Sequence, residues 1–118
     1  MAKELALFRE REILIIGSGN MVHNLRKVAW DKADDVEYGL DWATAANDTL
    51  KELIINNKHT ELINYNSVSK EVQMAIPSPD HFLPLLYALA LKADNDDISF
   101  FNDKMVMGSL SMTSVKIG

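Results

Sequence analysis

Residues 13–16, Ile-Leu-Ile-Ile, run straight into Gly17-Ser18-Gly19-Asn20. A short apolar run rich in β-branched residues and stopped by glycines reads as a buried strand within a parallel sheet, where both faces of the strand are covered. The segment that follows, residues 21–30, returns to a helical rhythm. Met21, Leu25 and Val28 share one face, which predicts a helix directly after the glycine loop. A chain of 118 residues is one domain's length. At that size about two-thirds of the unfolded surface is buried, enough for a core.

The rest of the chain is mostly helical in pattern. Residues 1–11 predict a short helix. Residues 31–39 are acidic and read as a surface loop. From Trp42, apolar residues recur at three- and four-residue spacing through Ala46, Leu50, Leu53 and Ile54. Asp41 is placed to cap that helix, and Asn56-Asn57 to end it. Short helices are expected over 60–65 and 67–74. Pro77 and Pro79 then break the pattern. Ser78 before Pro79 fits an N-cap with proline in the first turn. Residues 82–91, FLPLLYALAL, are apolar nearly all round, which belongs in the centre of a domain. Residues 94–97 read as a solvated acidic turn, and residues 98–101 as a strand. Leu110 and Met112 alternate with serines before the phase shifts to Val115 and Ile117, which predicts a strand with a bulge.

Charge and composition exclude several classes of function. The net charge of −5 speaks against sequence-independent nucleic-acid binding, which needs a basic surface. The absence of cysteine removes disulfides, thiolate nucleophiles and thiolate metal sites. No apolar run reaches the roughly 20 residues that span a bilayer, and residues 1–12 lack the apolar core of a signal peptide. A cytoplasmic protein is the expectation.

Two of the three histidines are candidates for chemistry. His23 follows the strand and glycine loop, where open α/β sheets bind ligands. His81 follows the proline-rich loop. Both are expected in the first turn of a helix, whose N-terminus disfavours imidazolium. A neutral imidazole can ligate a metal or accept a proton. The plainer reading is that each is a packing or capping residue. His59 is expected to be exposed and without function. The Gly17–Gly19 loop fails the dinucleotide fingerprint, because Val22 stands where a third small residue is needed. Ser18 and Asn20 either orient a ligand or satisfy loop backbone groups. The acidic turns lack the ligand spacing of a calcium loop.

Three segments taken together, ILIIGSGNMVHNLR (13–26), PSPDHFLPLLYALA (77–90) and GSLSMTSVKIG (108–118), resemble the C-terminal half of class III extradiol ring-cleaving dioxygenases of the DOPA 4,5-dioxygenase type. The resemblance runs from about Leu5 to Gly118. It implies an α/β fold: a partial mixed sheet with flanking helices, corresponding to the C-terminal half of that enzyme fold. It implies a non-haem Fe(II) or Zn(II) centre, with a catechol such as DOPA and dioxygen as substrates. His23 matches the histidine given acid/base work or metal contact, and His81 a histidine of the metal centre. Ser18 and Asn20 are then candidate substrate-binding residues, and Asp80 is a weaker candidate ligand.

The family protein is about twice as long, and its N-terminal half supplies further histidine ligands without counterpart here. Residues 1–118 are therefore expected to form one domain that is the C-terminal portion of a dioxygenase-like unit, weakly active or inactive alone. The alternative is a non-catalytic metal-binding or assembly module on the same fold. An α/β domain with an unrelated small ligand is a third reading, which the resemblance disfavours. Losing half of a sheet exposes a strand edge and an apolar face. Either a homo-oligomer or the missing half is expected to cover them.

Overall fold

The computed structural model describes residues 2–118; Met1, the first residue of the expected N-terminal helix, lies outside them. Five α-helices form, α1 (Ala2–Arg9), α2 (Asp41–Ile55), α3 (His59–Ile63), α4 (Lys70–Ala75) and α5 (Leu83–Leu89), with short 3₁₀ turns between them. Four short strands follow: β1 (Ile98–Phe101), β2 (Met105–Val106), β3 (Leu110–Ser111) and β4 (Ser114–Ile117). The class is mixed α/β, as read from the sequence. The strands make two separate antiparallel ribbons, β1 with β4 and β2 with β3. The phase shift before Val115 is the break between β3 and β4.

The core is built on α2. Ala43, Ala46, Leu50 and Ile54 fall on one helical face and are fully buried. They pack in one cluster with Leu62 of α3, Val72 and Ala75 of α4, Ile76 and Phe82. Asp41 is the first residue of α2 and makes no side-chain cap; Leu40 stands at the N-cap. At the other end Asn57 takes a left-handed backbone (φ 52°), which stops the helix where the asparagine pair predicted. Ser69 caps α4, its Oγ accepting from Val72 N–H at 3.1 Å.

Three expectations are corrected. Residues 13–16 join no strand ladder, and no backbone group of residues 14–19 bonds to another backbone group among the described residues. Leu14 and Ile16 are 81% and 78% exposed. The apolar run asks for a sheet on both sides, and residues 2–118 supply none. Residues 21–30 form no α-helix, only 3₁₀ turns at Leu25–Lys27 and Trp30–Lys32. Their backbone groups are taken by distant segments: His23 N–H donates to Ala75 O, Asn24 N–H to Ser109 O, and Val22 O accepts from Ser111 N–H. A residue bonded in that way cannot also bond four residues back along its own chain, so tertiary pairing overrides the helical pattern. Finally, α5 is not enclosed. Leu89 is buried, but Leu83 and Tyr87 are exposed. Its cap is Phe82 rather than Ser78, with Pro84 in the first turn where a missing N–H costs nothing.

Helix α1 buries no residue of its own. It is tied down by Arg9, whose guanidinium donates to Leu91 O and lies 2.7 Å from the Asp96 carboxylate. Asp96 also accepts from Ala93 N–H at 2.7 Å. The acidic turn is thus a docking point for α1.

Two outcomes follow from this packing. Leu50→Ala leaves a cavity at the centre of the helical core and is expected to lower unfolding free energy by about 2–5 kcal/mol, read by urea denaturation. The hydrogen bond from Arg9 lowers the Asp96 pKa from 3.8 to about 2. A carboxylate with a depressed folded pKa contributes stability above its unfolded pKa and loses it as pH falls through the folded one. Docking of α1 should therefore persist down to about pH 4 and fail between there and about pH 2. Asp96→Asn should free α1 at neutral pH, read as faster proteolysis at Arg9 with the core transition unmoved.

Candidate functional site

The site is assembled by the backbone of residues 19–24, which threads between the helical body and the ribbons. Asn20 N–H donates to His81 O at 2.8 Å. The Asn20 side-chain amide donates to Ser111 O at 2.7 Å. On the far side of His23, the Asn24 amide donates to Met74 O at 2.7 Å, and Ser109 Oγ donates to Asn24 O at 2.8 Å. A side chain at Gly19 could not exist here, since a Cβ would sit 2.1 Å from His81 O. The glycine allows the loop to lie against the turn that carries His81.

The result brings the two candidate histidines together from 58 positions apart. Their rings stack with centroids 3.7 Å apart and planes inclined by 15°. Neither is placed as the sequence suggested. His23 sits in an isolated bridge with Leu110 and not in a helix. His81 lies in the turn before α5. The neutral bias expected of His23 is present, with a different cause. Burial lowers its pKa first, and the neighbouring His81 imidazole adds to the effect. No helix N-terminus is involved.

The remaining candidates separate. Ser18 is exposed. Asn20 is half-buried, and its amide is committed to Ser111 O. Asp80 is exposed and accepts from Ser78 Oγ at 2.8 Å. His59 is exposed at the start of α3, as expected. Among the described residues no group of three or more His, Asp or Glu side chains could hold a metal ion. The histidine pair supplies imidazole nitrogens, which suit iron or zinc, but a catalytic centre of this type takes at least three ligands.

Sequence reasoning missed a buried polar network behind the site. Ser111 Oγ donates to Asn47 Oδ1 at 2.7 Å, and Thr113 Oγ1 donates to Asp103 Oδ1 at 2.8 Å. Asp103 pairs in turn with Lys51, which lowers its pKa. Asn47 lies on the buried face of α2, a polar residue at a core position, and that was the available signal. His81 also borders an open trough of about 830 Å³. Its walls are residues 13–17 and β4, and its floor is α5.

In the metal-free chain His23 is expected to titrate below its ordinary 6.5. The unfolded chain then takes up a proton that the folded one resists, so stability should fall as pH drops below about 6.5. His81→Ala removes the opposing imidazole and should raise the His23 midpoint, read by NMR titration of the ring protons. A midpoint at or above 6.5 in the parent chain would contradict the burial argument.

No profile of a known family matches the chain. Individual proteins do. It is 38% identical over 121 aligned positions to a protein of Escherichia coli (strain K12) named 4,5-DOPA dioxygenase extradiol, with all of this chain and 43% of that protein covered. Proteins of the same name from Beta vulgaris and Portulaca grandiflora are 27% and 26% identical over 98% of the chain, each covered to 42%. The crystal structure of an uncharacterized protein from Escherichia coli K12 superposes with a TM-score of 0.85 at 35% identity, over 99% of this chain and 48% of that one. The chain spans less than half the length of these relatives. Over its whole length it is similar to a part, less than half, of proteins named 4,5-DOPA dioxygenase extradiol.

Proposed function

We propose that the chain carries part of an extradiol ring-opening centre for catechols such as DOPA, with His23 as the proton-transferring residue and His81 as a metal ligand. The observation that carries this reading is the stacked pair, His23 against His81 at 3.7 Å, on the loop that matches relatives of that name. The pair fits Fe(II) or Zn(II) by its donor type and is short by at least one ligand. When bound, the metal would acidify a chelated catechol, as it does a bound water.

The chain's own residues do the rest. Burial keeps the His23 imidazole neutral near pH 7, so it is ready to take a proton from a catechol hydroxyl and return it later. Its backbone is held on both sides by Asn20 and Asn24, which fixes the ring for that transfer. Ser18, exposed on the same loop, is the proposed substrate contact. Asn20 serves the site chiefly by joining the His81 turn to Ser111. A cytoplasmic setting belongs to the same proposal.

A second reading, a non-catalytic metal-binding or assembly module, draws on the missing third ligand among the described residues. Anaerobic loading with Fe(II), followed by oxygen uptake with DOPA and with catechol, separates the two. The first reading expects slow uptake that His23→Ala abolishes while metal binding remains, and that His81→Ala loses together with the metal. Metal bound without any uptake favours the module. Undiminished uptake in His23→Ala rejects the proton role.

A further inference from the structure

Helix α2 buries Ala43, Ala46, Asn47, Leu50 and Ile54, and Asn47 alone of these is polar. Burying an amide costs free energy unless its polar atoms find partners. An apolar residue would fill this face at lower cost, so the partners of Asn47 are the point of interest. They are two hydroxyls, and the protons run in one direction. A carboxylate only accepts, so Thr113 Oγ1 gives its one proton to Asp103 Oδ1 at 2.8 Å. Thr113 Oγ1 is then the acceptor for Asn47 Nδ2–H at 3.2 Å. This leaves Asn47 Oδ1 to accept from Ser111 Oγ at 2.7 Å. Ser111 Oγ in turn accepts from Thr113 N–H at 3.2 Å. The backbone of Ser111 is spent elsewhere. Its N–H donates to Val22 O at 2.9 Å. Its carbonyl accepts from the Asn20 amide at 2.7 Å. One residue is thus held by its hydroxyl to α2 and by its backbone to the loop that carries His23.

We infer that Asn47 is a positioning residue for the histidine pair: through Ser111 it fixes the loop of residues 20–23, and through Asn20 the turn that carries His81. The route is short. Val22, bonded to Ser111, is the residue before His23, and Asn20, bonded to the same Ser111, donates its own N–H to His81 O at 2.8 Å. Both rings therefore hang from one serine, whose place is set by the Asn47 amide oxygen. The two ends of that amide are not equivalent. The oxygen suits the hydroxyl at 111 and the NH₂ group the hydroxyl at 113, so a shift of the segment by either spacing would oppose like groups. The stack, at 3.7 Å and 15°, gives such precision a use. A misplacement of about 1 Å in a reacting group can cost about a hundredfold in rate. Leu50, three residues further along α2, offers the contrast. It shares the core cluster with Met21 and Val22, but its side chain has no polar atom with which to hold the loop. The inference deepens the proposed function and rests on it only for the catalytic use of the pair.

The test reads the stack itself. In the 118-residue chain, with a chelator present and at one fixed pH, the stacked rings should give NMR cross-peaks between ring protons of His23 and His81. Asn47→Leu and Ser111→Ala should lose these cross-peaks, and the Asn20 amide should exchange at least about fivefold faster. Leu50→Ala, matched to them or weaker in urea denaturation, should keep the cross-peaks. Thr113→Ser, which retains the hydroxyl that Asn47 Nδ2 needs, should keep them too. Cross-peaks retained in both Asn47→Leu and Ser111→Ala overturn the inference. So does their loss in Leu50→Ala, which would show that the stack follows core stability and not the network. If Asn47→Leu does not fold, Ser111→Ala decides alone, since it leaves α2 untouched. Failure of Ser111→Ala to fold as well would make the network purely structural and overturn the inference. Neither metal nor catechol enters these measurements, so an inactive iron-loaded chain would count against the proposed function and leave the role of Asn47 standing.

Discussion

The structure turns on the backbone of residues 20–24, held from three sides. The turn before α5 takes the Asn20 N–H, the end of α4 takes the His23 N–H and the Asn24 amide, and the segment around β3 takes the rest. Met21 and Val22 are buried within that clamp. Each bond is modest, about 1 kcal/mol net, but leaving a buried donor unmade costs more. The segment cannot move without breaking several of them together. The histidine contact follows, since one ring rides on the clamped segment and the other on the turn that Asn20 grips.

Behind the clamp, the polar network keeps the ribbons in register with the helices. Asn47 reaches from α2 to Ser111 and Thr113, and through Thr113 to Asp103 and Lys51. No buried side-chain donor or acceptor among the described residues is left without a partner. A fully satisfied network in a buried setting is specific as to position, because each group has one geometry that pairs it. An all-apolar contact would let the ribbons slide. Here Ser111 is fixed by its hydroxyl to α2 and by its carbonyl to Asn20, so the core and the histidine loop share one anchor.

The sequence was most legible where structure is local. The periodicity of α2, the asparagine stop at residues 56–57 and the strand at 98–101 all depend on near neighbours, and all formed. Residues 21–30 were misread because Met21, Leu25 and Val28 keep a helical spacing while the backbone partners of Val22, His23, Asn24 and Ala29 lie about 50 to 90 positions away. The pairing of His23 with His81 was legible only through a resemblance, since spacing says nothing of which loops meet. Asp96 was read as solvated because nothing local marks Arg9 as its partner. Asn47 was passed over because an asparagine on a helix is unremarkable until its face is known to be buried.

The misreading of residues 13–16 differs from the others, because there the local reading was physically sound. Three features share one face: an extended apolar segment with open edges, an apolar helix with exposed side chains, and the stacked histidine pair. The tight contact of Gly17 and Gly19 with Pro84 and His81 makes that segment the mechanical neighbour of the site. The residues that lack backbone partners thus adjoin the stacked histidines.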